Sequence, residues 1–163
     1  AALDAIPEAR KAAALAAFDP EGKDNKLQIV NDMATRQYIT EPDRNISRLQ
    51  SKAGQPVYLY YFSYVTPSKR GSSLGAVHTA EIPYAFAGPR QKLAAEDRPL
   101  ATAVNAYWAA FIKSGNPGAA GGPAWPKFTS STESSMEFGA DGPAVRQHHL
   151  AKQLDWTEQG LAK

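Results

Sequence analysis

The stretch that most constrains the fold is 57-VYLYYFSYV-65. It is built from β-branched and aromatic residues, with Gly54 and Pro56 before it and Pro67 after it. That is the composition and punctuation of a β-strand. Successive strand side chains point to opposite faces, so Tyr58, Tyr60, Phe62 and Tyr64 share one face and Val57, Leu59, Tyr61 and Val65 the other. Both faces are apolar or aromatic, which predicts a central strand covered on both sides, as in layered α/β folds. Such a strand needs sheet neighbours on each edge. The rest of the chain offers few: 135-SMEF-138 is one, and the strands fall short of a complete sheet.

The remaining segments read mainly as helices. Residues 7–18 are Ala-rich, opened by Pro7 and followed by Asp19-Pro20. After a polar loop, 20-PEGKDNK-26, residues 27–39 place Leu27, Val30, Met33, Ala34 and Tyr38 at a roughly helical spacing. A further helix is predicted from Pro42 to Ala53, with Ile46 and Leu49 on one face and Gly54 as its stop. Residues 99–114 form the strongest amphipathic pattern, with Leu100, Val104, Tyr107, Trp108 and Phe111 in one stripe between Pro99 and Gly115. The stretch 115-GNPGAAGGP-123 reads as a flexible loop. No Gly-Lys-Ser/Thr comes after it, so it is no phosphate cradle. A last helix is expected from Val145 to Trp156.

Composition narrows the function. The 163 residues suit one domain or part of a larger one, and 43% hydrophobic residues can bury a core. Eighteen basic residues against sixteen acidic ones leave a net charge of +2, too even for a nucleic-acid or anionic-membrane partner. With no cysteine there is no disulfide framework and no thiolate nucleophile. No run approaches the roughly 18 apolar residues of a membrane span. Asp4, Glu8, Arg10 and Lys11 interrupt any signal-peptide apolar region. The first residue is not Met, which suggests a processed or excised piece. An Ala-rich, cysteine-free chain points to a bacterial source and, more loosely, to a periplasmic or secreted location.

Three histidines carry the possible chemistry. His148 and His149 are adjacent and, with Gln147 and Lys152 nearby, read as a solvated helix face. Nothing has the spacing of a zinc or calcium site, so no metal or cofactor is expected. His78 differs, because it comes after the strong strand and the polar turn 66-TPSKRGSSLGA-76, and functional groups gather beyond the carboxyl ends of strands in open α/β sheets. On position alone, a loop histidine bonded to backbone is the commoner case. A general base needs a nucleophile, and the chain offers no convincing one: Ser72 and Ser73 lie in a Gly-Ser turn, where Gly71–Gly75 spells Gly-x-Ser-x-Gly without the strand-to-helix setting of an elbow, and Ser68-Lys69 is no Ser-x-x-Lys motif. Asn45-Ile46-Ser47 matches a glycosylation acceptor inside a predicted helix and reads as accidental.

The segment 75-GAVHTAEIPYAF-86 resembles the histidine motif of the type B carboxylesterases, the family of para-nitrobenzyl esterases and cholinesterases. Gly75, His78, Glu81, Ile82, Tyr84 and Phe86 fill it. Other matches occur in order along the chain. The run 30-VNDMATRQYITEP-42 resembles the preceding helix, with Asp32 at its Asp position, and VYLYYFSYV resembles the family's aromatic strand. YWAAFIKSGNPG (107–118) with Trp125-Pro126-Lys127-Phe128 resembles its C-terminal signature, and 136-MEF-138 and Asp155-Trp156 its closing strand and helix. The resemblance spans roughly residues 27 to 156. It implies the C-terminal part of a single α/β-hydrolase domain covering residues 1–163. By the family's chain order, the nucleophile serine and triad acid would precede this chain, and a small-molecule carboxylic ester would be the substrate. His78 alone carries over as a triad member. Glu81 and Asp32 are expected as buried carboxylates, structural or supporting the catalytic residues, and Tyr84 and Phe86 as aromatics that pack or else line the pocket. The resemblance also admits a cholinesterase-like interaction domain that keeps the fold without catalysis. A free-standing small binding domain is disfavoured by a two-faced aromatic strand with too few neighbours.

Overall fold

The computed structural model describes residues 3, 6–88 and 91–161. The chain divides into two compact units, one of Ala1–Leu49 with Leu150–Lys163, the other of Gln50–His149.

The first unit is helical. Helix α1 (Glu8–Phe18) starts directly after Pro7 and ends at Asp19, where that side chain accepts from the backbone N–H groups of Lys23 and Asp24. Helix α2 (Lys26–Thr35) is capped by Asn25, whose side chain accepts from the Gln28 N–H at 3.1 Å. It does not stop where expected. It passes through a π-helical turn, Arg36–Thr40, straight into α3 (Glu41–Lys52). Pro42 explains the wide turn: its ring nitrogen cannot donate, and its bulk crowds the carbonyl one turn back. A π turn holds one residue more than an α turn and rotates the chain beyond it by about 100°.

The predicted helix faces are overturned, and for α3 that rotation is the reason. Leu27, Tyr38 (74% exposed), Ile46 and Leu49 (59% exposed) face outward. Ile29, Arg36, Glu41, Arg44 and Ser47 are buried instead. The charged residues go inward because they meet partners on α6 (Ala151–Leu161). Arg44, only 2% exposed, donates from Nε to Glu41 at 2.7 Å, from Nη1 to Asp155 at 2.8 Å and from Nη2 to Glu158 at 3.0 Å. Arg36 Nε donates to Gln153 Oε1 at 2.7 Å, and Gln153 in turn donates to the Ala17 carbonyl. Helices α1 and α6 meet through an edge-to-face Phe18–Trp156 pair at 5.5 Å, with the Arg10 guanidinium over the Trp156 ring at 4.3 Å.

The second unit holds a three-stranded sheet in the order β1 (Leu59–Phe62), β2 (Ser135–Gly139), β3 (Gly142–Arg146). β1 and β2 are parallel with Tyr60 opposite Met136, and β2 and β3 are antiparallel with Phe138 opposite Pro143. Two expectations change here. β1 is shorter than 57–65, and among the described residues it is an edge strand with β2 on one side. Val145 belongs to β3 and not to the last helix, which starts at Ala151. The missed signal was Asp141-Gly142, a hairpin dipeptide, and Gly142 takes a left-handed φ of 92° there. SMEF does form β2.

One sheet face and helix α5 (Arg98–Ser114) enclose the core of this unit. Tyr107, Val104, Met136 and Phe138 are fully buried, and Trp125 packs edge-on against Tyr107 and Phe138 at 5.6 and 5.5 Å. The predicted stripe of α5 holds, except that Phe111 is half-exposed while meeting the Tyr58 ring at 5.9 Å. The Gly-rich loop after α5 is clamped and not free. A Cβ on Gly121 would lie 2.3 Å from the Ala103 carbonyl oxygen and 2.6 Å from the Tyr107 ring, and the Tyr107 hydroxyl donates to the Pro123 carbonyl.

Candidate active site

β1 ends because its ladder runs out. The N–H groups of Ser63 and Tyr64 both donate to the Phe138 carbonyl, at 3.0 and 3.1 Å, and the chain then leaves the sheet. It passes a short 3₁₀ turn at Pro67–Lys69, where the Arg70 guanidinium donates back to the Val65 carbonyl. It next runs through the open Gly-Ser segment. The Ser73 hydroxyl donates to the Gly75 carbonyl at 2.5 Å.

His78 lies in the next turn. The Ala80 N–H bonds to the Val77 carbonyl at 3.0 Å, and Thr79 takes a left-handed φ of 70°. The His78 side chain is exposed, and among the described residues it makes no hydrogen bond or ion pair. Exposed apolar side chains lie on both sides of it in sequence: Leu74, Val77, Ile82 and Phe86. Helix α4 (Ile82–Phe86) takes up the chain with Pro83 in its first turn and ends at Ala87 in the left-handed region.

The other predicted site residues are spread out. Glu81 is half-buried, not buried, and accepts a long 3.4 Å contact from the Tyr60 hydroxyl. Asp32 is also half-buried and accepts from Gln28 Nε2 at 3.0 Å on its own helix. It lies in the first unit, whereas His78 and Glu81 lie in the second. Tyr84 packs as expected, against Phe62 at 5.1 Å and Tyr64 at 5.7 Å. Phe86 does not: it is 70% exposed. His148 and His149 are on no helix. His148 is exposed, but His149 packs at a tilt against Tyr61 at 5.0 Å and is among the groups that lower the Glu137 carboxyl.

Sequence reasoning passed over Asp97. It is buried at the start of α5, where its carboxylate accepts from the Tyr64 hydroxyl at 2.8 Å and the Thr66 hydroxyl at 3.2 Å. Burial first, and the Asp97 charge second, raise the Tyr84 phenol far above its ordinary value. Burial and the bond to Asp97 likewise raise Tyr64. An Asp just before a helix signals a cap. Nothing local in sequence signals that its partners lie some thirty residues upstream.

Chemically, an exposed imidazole can take a proton at one nitrogen while its other nitrogen is held by a carboxylate. Among the described residues no serine hydroxyl and no carboxylate is bonded to His78. No group of three or more His, Asp or Glu among them could hold a metal, and no described helix is long and apolar enough to cross a membrane.

The backbone matches solved esterases. The carboxylesterase EST55 of Geobacillus stearothermophilus superposes with a TM-score of 0.73 at 22% identity, over 89% of this chain and 31% of that one. A PNB esterase gives 0.67 at 21% identity, over 90% of this chain and 30% of that one. The architecture is therefore part of an α/β-hydrolase fold. The carboxylesterase family matches residues 5–157, and the chain belongs to that family. Carboxylesterase 1C of Rattus norvegicus is 30% identical over 138 residues, 82% of this chain and 25% of its own length. Liver carboxylesterase 1 of Mus musculus is 32% identical over 124 residues, 72% of this chain and 21% of its own. The chain spans about a quarter of the length of these curated relatives.

Proposed function

We propose that this chain contributes the general base, His78, to a serine carboxylesterase. The remaining triad members, a nucleophile serine and an acid, belong to a preceding part of the same enzyme. The serine hydroxyl attacks the ester carbonyl as His78 takes its proton. The imidazolium then gives that proton to the departing alcohol, leaving an acyl-serine. Water, deprotonated by the same imidazole, attacks the acyl-serine, and the proton returns to serine as the acid product leaves. No cofactor enters this sequence. Family membership supports ester hydrolysis in general. The observation that carries the finer reading is the exposed, uncommitted His78 imidazole within the family's histidine motif, beyond the end of β1.

The test has two parts. The purified 163-residue chain is expected to give no turnover of a p-nitrophenyl ester, and to gain it when the preceding part is supplied. In the complete enzyme, His78→Ala is expected to lower kcat by several orders of magnitude, as loss of a triad member does. Turnover by the chain alone overturns the placing of serine and acid in a preceding part, and near-normal kcat in the variant removes His78 from the mechanism.

A further inference from the structure

The loop that carries His78 leaves the sheet and returns to the core at one place. Its outgoing foot is Tyr64 and Thr66, both hydrogen-bonded to Asp97. Its returning foot is Tyr84, whose ring packs edge-on against Tyr64 at 5.7 Å. At the next residue, the Ala85 carbonyl accepts from Asn105 Nδ2 at 2.7 Å. Asp97 and Asn105 both belong to the N-terminal half of the α5 segment. This segment therefore grips the loop on both sides of His78, while the stretch between the feet is mostly exposed.

Asp97 is placed unusually for its position. An Asp at a helix start normally accepts from the backbone N–H groups of its own first turn. Here it makes no such cap bond. Its two oxygens go to separate hydroxyls on the outgoing strand end, while the positive end of the α5 dipole favours the charge. Buried carboxylates keep this role only when such partners satisfy them.

We infer that Asp97 is the positioning residue of the His78 loop: it fixes the outgoing foot through Tyr64 and Thr66, and through the Tyr64 ring it seats the returning foot at Tyr84, and so sets where the imidazole stands. This rests on the reading of His78 as the catalytic base, because a displaced base lowers the rate of proton transfer without loss of the base itself.

The test uses the complete enzyme and separates the two ideas. Asp97→Ala is expected to lower kcat about 10- to 100-fold with KM changed little, and to raise amide hydrogen exchange across residues 67–83 while β2 and α5 stay protected. Thr66→Val removes one bond and is expected to give a smaller kcat loss, which Thr66→Ser restores. Unchanged exchange over 67–83 in both Asp97→Ala and Thr66→Val overturns the anchor. Freed exchange in the loop, together with unchanged kcat in His78→Ala, leaves the anchor standing and overturns the catalytic reading instead. Should Asp97→Ala fail to fold, the Thr66 pair carries the test alone: equal kcat in the Val and Ser variants overturns the proposal.

Discussion

The two units differ in what fills the space between their main elements. The second buries aromatic and aliphatic side chains between a sheet face and α5, with Tyr107, Trp125 and Phe138 in mutual ring contact. The first buries a guanidinium and a carboxylate between α3 and α6, and leaves Ile46 and Leu49 in solvent. Apolar burial is non-directional and scales with area removed from water. A buried charge is tolerated only when specific partners surround it. The second unit should therefore respond to lost volume, and the first to lost partners.

The largest effects should come from single truncations that probe this contrast. Phe138→Ala leaves a cavity in the aromatic core and should cost about 3–5 kcal/mol. Arg44→Ala strands the buried Glu41 carboxylate and should also cost about 3–5 kcal/mol. Urea denaturation monitored by circular dichroism measures both. The distinction lies in rescue. Adding Glu41→Leu to Arg44→Met removes the stranded charge and should recover most of the loss, while Asp155 and Glu158, each about half exposed, remain hydrated. A double variant no more stable than Arg44→Met would show that the first unit does not depend on its charge pairing.

A smaller effect, of opposite sign in the two units, is expected from pH. Burial holds Glu41 above the ordinary carboxylate range and outweighs the hydrogen bond and charge of Arg44. Its folded form thus binds a proton more tightly than its unfolded form. That contribution is full below the unfolded value and is lost as pH rises through the folded one. Burial would also raise Glu137, but hydrogen bonds from Ser63 at 2.6 Å and Arg146 at 2.7 Å, with the charges of His149 and Arg146, bring it below its ordinary value. Its contribution is full above the unfolded value and is lost as pH falls through the folded one. Acidification across the carboxylate range should therefore weaken protection in β2 and β3 while favouring α3. Hydrogen exchange corrected for intrinsic rates resolves the two, and parallel changes in both units would contradict these assignments.

The smallest effect is expected at the rim of the ionic cluster. Arg48 reaches Glu158 at 3.1 Å with both side chains partly in water. Screening and side-chain entropy leave such pairs little net value, so Arg48→Ala should cost under about 1 kcal/mol in the same urea titration. A loss as large as that of Arg44→Ala would mean that the cluster acts as one unit and not as a buried centre with a solvated edge.

Much was legible in the chain alone. The aromatic alternation around β1, the α5 stripe between Pro99 and Gly115 and the start of α1 after Pro7 are local patterns set by side-chain direction and capping, which sequence displays directly. So was the family, through an ordered set of motifs that includes Gly75–Phe86. Three features were decided by tertiary structure. A π turn before Pro42 rotated α3 and put Arg44 inward, where carboxylates from over a hundred residues away received it. Asp141-Gly142 made a hairpin whose second strand took in Val145 and Arg146, the start of the expected last helix, because β2 offered a free edge to pair with. Asp97 turned from its own helix cap to the hydroxyls of Tyr64 and Thr66. In each case the choice rested on a partner distant along the chain, and local propensity carries no record of which distant group will satisfy a buried charge or an unpaired strand edge.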